Sequence, residues 1–165
     1  MTAPTEPTIV GPDQGEYVQL RGLGVRFLID RLTTDGAFSL VEHPLEPRAL
    51  GAPLHRHANE DEYSFILEGR MGAQLGDDVV EAGPGDLVFK PRNQWHTFWN
   101  AGDERCRLLE IISPAGFEQY FADVAEMAKS DPEMQGLPAL AQSYGLEVDP
   151  ASIPGLIERH GVRFG

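Results

Sequence analysis

The chain has 165 residues, 26 of them acidic and 13 basic, for a net charge of −13. That length suits one domain burying about 70% of its unfolded surface, and so negative a surface repels phosphate backbones and anionic lipid, which argues against nucleic-acid and membrane partners. The single cysteine, Cys106, excludes an internal disulfide and a zinc–thiolate cluster. Residues 1 to about 15, rich in Pro, Thr and Gly, read as a loose arm. They carry neither a basic nor an apolar leader segment, and no apolar run approaches the ~18 residues of a membrane span. A cytoplasmic protein is the expectation.

From Tyr17 to Ile112 short apolar runs alternate with turn signals. The runs are Val25–Ile29, Ala37–Val41, Tyr63–Leu67, Met71–Leu75, Leu87–Phe89 and Leu108–Ile112. The cuts include Asp35-Gly36, Gly76-Asp77-Asp78, Gly83-Pro84-Gly85-Asp86 and Ala101-Gly102-Asp103. Many short strands at regular spacing predict an all-β sandwich or barrel. After Pro114 the period changes. Phe117, Tyr120, Phe121, Val124 and Met127 form one helical stripe, read as a helix packed on the outside of the barrel. Asp131-Pro132 opens a second predicted helix ending near Gly145, and a third follows Pro154. The chain shows no internal repeat, so it divides into an arm (1–15), one barrel (16–114) and a C-terminal helical extension (115–165) packed on it.

The stretch from Pro53 to Tyr63 carries the chemistry. On a strand, residues i and i+2 share a face, so His55 and His57 project together and can share one metal. The pair alone reads more readily as two exposed histidines on an edge strand.

The wider pattern resembles the cupin superfamily. The family's first motif, G-x5-H-x-H-x3,4-E-x6-G, is matched by His55, His57, Glu62 and Gly69. Its second, G-x5-P-x-G-x2-H-x3-N, is matched by Gly85, Pro91, His96 and Asn100, with residues 70 to 84 between the two. Two positions depart. Ala49 replaces the leading glycine of the first motif, with Gly51 nearby, which reads as a shifted turn. Asn93 replaces a glycine of the second; Asn is the residue best able to take a left-handed conformation there.

The resemblance implies a double-stranded β-helix (jelly-roll) barrel holding one divalent transition metal through His55, His57, Glu62 and His96. Such a nitrogen–oxygen set suits Fe, Mn, Ni, Co or Zn. In six-coordinate geometry two positions stay open; in tetrahedral zinc geometry the site closes and becomes structural. The reaction implied is that of a quercetinase-like dioxygenase acting on a small oxygen-bearing molecule, with Glu62 as both ligand and proton acceptor. The alternatives are a metal-dependent isomerase, cyclase or decarboxylase, and a binding or sensing module without turnover. Phe98, Met71 and Ala73 are expected to wall a substrate pocket. Trp95 and Trp99, of opposite parity to His96, are expected to pack elsewhere. Glu60 and Asp61 read as a solvated acidic turn, and His43 and His160 as surface residues. A homodimer pairing through part of residues 16 to 30 completes the expectation.

Overall fold

The structure is a computed structural model that describes residues 7–165. The arm expected over 1–15 lies outside the described residues for its first six positions. Its remainder reaches the barrel through Arg26, whose Nη1 donates to the carbonyls of Gly11 and Gln14.

Eleven strands follow among the described residues. They are β1 (Tyr17–Leu20), β2 (Leu23–Ile29), β3 (Ser39–Leu45), β4 (Leu54–His57), β5 (Asp61–Glu68), β6 (Met71–Leu75), β7 (Asp78–Ala82), β8 (Leu87–Lys90), β9 (His96–Asn100), β10 (Cys106–Ser113) and β11 (Leu146–Asp149). The helices are α1 (Glu118–Ser130), α2 (Leu137–Ser143) and α3 (Ile153–His160). One antiparallel sheet runs β1-β2-β3-β10-β5-β8 and the other β11-β4-β9-β6-β7. This is the all-β jelly roll with helices after the barrel that the sequence predicts.

Strand β10 shows how the alternation sets the interior. Cys106, Leu108, Glu110 and Ile112 are buried, while their neighbours are only half-buried. The register then builds inward-facing rows across the six-stranded sheet. Ile112 stands opposite Glu62, which stands opposite Lys90; Val41, Glu110, Ser64 and Val88 form the next row. Apolar residues fill the two ends. Leu45, Ile66, Met71, Ala73, Phe98 and Leu108 belong to one buried cluster, and Val25, Val41, Ile112, Phe117 and Leu146 to another.

The C-terminal segment does more than pack on the outside. Strand β11 extends the five-stranded sheet beside β4, with Leu146 opposite His57 and Val148 opposite His55. Phe117, before α1, places its ring 4.3 Å from that of His57. Helix α3 packs Leu156 against Leu50 and Trp99 in a third cluster. The second helix starts at Leu137 rather than at Asp131. Met134 takes a positive φ of 55°, which interrupts helical geometry over the intervening turns.

Both motif departures have local causes. Asn93 has φ 63°, the left-handed conformation expected of a residue standing in for glycine. Gly51 lies so close to the Phe98 ring that an added Cβ would sit 2.5 Å from it, so it is position 51, two beyond Ala49, that requires glycine.

Candidate metal centre

Three imidazoles and a carboxylate converge from three strands and both sheets. Strand β4 supplies His55 and His57 on one face, and the antiparallel register sets His96 of β9 directly opposite His55. Strand β5 supplies Glu62 from the other sheet. One donor atom from each of the four lies within 4.8 Å of every other. The ring centroids of His55 and His96 are 4.3 Å apart, those of His55 and His57 5.2 Å, and those of His57 and His96 5.5 Å. His57 Nε2 lies 3.5 Å from Glu62 Oε1, and His96 Nε2 lies 3.3 Å from Glu62 Oε2.

Two of the rings are turned by their other nitrogen. His55 Nδ1 bonds the Pro53 carbonyl at 2.8 Å and His96 Nδ1 bonds the Gln94 carbonyl at 3.0 Å. A carbonyl only accepts, so Nδ1 carries the proton and Nε2 keeps its lone pair. His57 Nδ1 faces Glu60 Oε2 at 3.6 Å. Glu60 is 7% exposed, so the solvated turn expected there is in fact a buried carboxylate behind a ligand. Its neighbour Asp61 stays at the surface and pairs with Arg92.

These observations fit a metal. The Nε2 atoms of His57 and His96 are buried without any hydrogen-bond partner, and such orphans are rare unless something absent completes them. Burial, reinforced by neighbouring imidazoles, pushes the His55 pKa well below its ordinary value. Burial likewise lowers that of His96. Both rings are therefore neutral, the form that ligates.

Behind Glu62 lies a second polar group that the motifs do not contain. Lys90 is 1% exposed, with Nζ 3.1 Å from Glu62 Oε2 and 3.0 Å from Glu110 Oε1. Its ammonium also stands 5.0 Å over the Phe98 ring. Ser64 Oγ donates to Glu110 Oε2 at 2.7 Å. Burial works to raise the Glu62 pKa, but the Lys90 ammonium, with His57 and His96, outweighs it and holds the carboxyl well below its usual range. Burial works against the charge on Lys90 as well, yet Glu110 and Glu62 together raise its pKa. Glu110 is the carboxyl that pays: burial first, then the Glu62 charge, push it up to about 7.

His43, expected at the surface, is 2% exposed. Its Nδ1 donates to the Gly24 carbonyl at 3.0 Å, and its ring lies 5.2 Å from Phe121 and 6.2 Å from Phe98. Burial lowers its pKa to about 4. His160 is also not a free surface residue, since it stacks on Trp99 at 4.0 Å. Trp99 itself is buried in the third cluster, away from the ligands, and Trp95 lies under Arg56. Met71, Ala73 and Phe98 are buried in the apolar cluster at one end of the barrel, and of these Phe98 reaches the polar group, through Lys90.

Sequence reasoning brought together all four ligands but missed Glu60, Lys90, Glu110, Ser64 and His43. The run Leu87-Val88-Phe89-Lys90 reads as an apolar strand ending in a solvated lysine. The strand in fact turns Val88 and Lys90 inward and leaves Leu87 and Phe89 56% and 47% exposed. Only the β5–β8 register, which sets Lys90 opposite Glu62, carries the signal.

Comparison with known proteins agrees with this fold. Residues 42–112 match the family described as the cupin domain. The chain is 23% identical over 108 residues to the polyketide synthase CurC of Streptomyces cyaneus, covering 66% of this chain and 70% of that protein. Among solved structures it is similar to KdgF from Halomonas sp., with TM-score 0.61 and 13% identity, covering 69% of this chain and 99% of that one. It is also similar to an RmlC-like cupin from Shewanella frigidimarina, with TM-score 0.56 and 19% identity, covering 67% and 93%. At such identities the structural likeness concerns the fold.

Proposed function

The barrel of this chain is a cupin domain, and from that premise we propose that it is a metal-dependent enzyme acting on a small oxygen-bearing molecule that binds as an anion. The observation that carries the reading is the buried His55–His57–Glu62–His96 cluster with two unpartnered Nε2 atoms. Its occupant is one divalent Fe, Mn, Ni, Co or Zn ion, which supplies Lewis acidity toward a bound oxygen. Glu62 contributes one negative charge to such an ion, while Lys90 and Glu110 offset each other. A net positive charge is left inside an apolar barrel, and an enolate, phenolate or carboxylate oxygen balances it. Phe98, Met71 and Ala73 remain the proposed apolar wall of the pocket.

Redox-neutral chemistry, such as isomerisation, cyclisation or decarboxylation, is the reaction class this interior supports best. Such reactions move protons, and Glu110, with its pKa raised by burial to about 7, stands one lysine away from the ligand Glu62. Glu62, proposed from the sequence as proton acceptor, is held ionised by Lys90 and is the weaker base of the two. The quercetinase-like dioxygenase reading is the second. It draws on the ligand number, since four donors in six-coordinate geometry leave room for both a substrate oxygen and O2.

The experiment is turnover of enolic, catecholic and 1,3-dicarbonyl compounds by metal-reconstituted protein, with and without oxygen. Equal turnover under anaerobic conditions supports the first reading, and consumption of one O2 per product supports the second. Protein that refuses all five metals overturns both.

For assembly, the proposal remains a two-fold dimer through residues 16 to 30. Strand β1 ends the six-stranded sheet, so one of its edges is open to pairing.

A further inference from the structure

The Nδ1 atoms of His55 and His96 each meet a carbonyl two residues away. His57 differs. Among the described residues neither of its ring nitrogens has a hydrogen-bond partner, although the residue is only 1% exposed. A neutral imidazole carries one proton, and its hydrogen bonds decide which nitrogen keeps it. With the proton on Nε2, the ring would turn an N–H toward the cluster in place of a lone pair. Glu60 is poised to prevent this. Its Oε2 lies 3.6 Å from His57 Nδ1, just beyond hydrogen-bond length, and is itself buried with no hydrogen-bond partner. A buried donor and a buried acceptor left apart each bear a desolvation penalty that their pairing removes.

The chain holds this carboxylate in place from both sides. Glu60 sits in the turn between β4 and β5, and its neighbours there are tied to other segments. The His57 carbonyl accepts from the Asn93 N–H at 2.7 Å, and the Ala58 N–H donates to the Gly145 carbonyl at 2.9 Å. The Asp61 carboxylate accepts from the Arg92 backbone N–H at 2.9 Å and from both ends of the Arg92 guanidinium. A turn fastened at both ends leaves Glu60 directed at the ring behind it. Resting on the reading that the cluster holds a metal, we propose that Glu60 is a positioning residue that accepts a hydrogen bond from His57 Nδ1–H and so keeps the Nε2 lone pair directed at the ion. It does for this ring what the Pro53 and Gln94 carbonyls do for the other two, and its charge makes the imidazole a stronger donor as well. All three rings then present the same nitrogen, Nε2.

Co(II) is the probe, and no turnover is needed. Its affinity is measured by chelator competition, and its paramagnetism shifts the ligand imidazole N–H protons out of the crowded part of the proton NMR spectrum. The wild-type protein should show one exchange-protected N–H signal for each of the three rings. Glu60→Leu should lose one of these signals to exchange with water and bind Co(II) roughly 10- to 100-fold more weakly, the scale on which outer partners tune a site. Glu60→Gln retains a carbonyl oxygen for the same N–H, so it should keep every signal and most of the affinity. Equal losses in the two variants would mean that only the charge of Glu60 acts on the dication, which overturns the inference. A Glu60→Leu protein with native circular dichroism, every signal and wild-type affinity overturns it too. Wild-type Co(II) protein with protected signals from only two rings does so without any variant. Failure of the wild-type protein to bind Co(II) overturns the metal reading and this inference with it.

Discussion

The two walls of the barrel interior are built on different principles. The wall from the five-stranded sheet presents three imidazoles, and two of them are oriented by carbonyls only two residues away, Pro53 for His55 and Gln94 for His96. The wall from the six-stranded sheet presents Glu62, Lys90, Glu110, Ser64 and His43, and each is held by a residue distant in sequence. Lys90 reaches Glu62 and Glu110, Ser64 reaches Glu110 across 46 positions, and His43 reaches Gly24. The imidazole wall is locally specified. The other is charged and is held only by strand register. The first fixes where a metal would sit; the second fixes the charge around it.

The sharpest way to break this division is to attack one wall at a time. His96→Ala should reduce metal affinity by more than the roughly 100-fold that outer partners account for, and leave the thermal midpoint of the metal-free protein nearly unchanged. Elemental analysis and calorimetry on the same sample read both quantities. A large loss of apo stability would mean that the imidazole wall also holds the fold.

Lys90→Met should show the reverse pattern of damage. Leaving Glu62 and Glu110 buried without their cation costs about 3–5 kcal/mol of stability, measured by urea denaturation. Adding Glu110→Gln should recover most of it. If the single variant is as stable as wild type, the charged wall is not the coupled unit described above.

His43 gives the comparison a pH dependence. Its pKa falls from 6.5 when unfolded to about 4 when folded, so its contribution is fully present above pH 6.5 and is lost as pH falls toward 4. Across that window it amounts to roughly 3 kcal/mol in the metal-free protein. Glu110 runs the other way. Its raised pKa favours the fold below pH 4.5, and that contribution fades as pH rises through 7. His43→Gln should therefore flatten the acid side of the stability profile without touching the neutral side. A profile that keeps the wild-type slope between pH 6.5 and 4 would show that His43 does not titrate as a buried group.

Smaller effects test the turn that delivers His96. Asn93 holds φ 63° between Pro91 and the β9 strand, and its backbone N–H donates to the His57 carbonyl at 2.7 Å. Asn93→Gly should be neutral or slightly stabilising. Asn93→Val should cost on the order of 1–2 kcal/mol and weaken metal binding through misplacement of His96. The proposed dimer is the mildest test, since it concerns neither wall. Light scattering at high micromolar concentration should give twice the chain mass, and deletion through β1 should give one.

What the sequence determined by itself was whatever is written at short range. The alternation of apolar residues announced the strands, and the stripe from Phe117 to Met127 announced α1. His55 and His57 stand two apart on one strand, and the turn before His96 accepts Asn where glycine is usual because one residue's φ decides it. What only the tertiary structure decided depends on pairing between strands far apart in the chain. Whether Lys90 ends a strand in solvent or turns into the barrel depends on which residue β5 sets against it, and a register shift of one would send it outward. The same holds for Glu110 and His43, whose burial follows from the faces that β10 and β3 present. Strand β11 closes beside β4 although the helical stretch before it gave no sign of a returning strand. Local spacing encodes direction, but burial and charge pairing are properties of surfaces that meet only on folding.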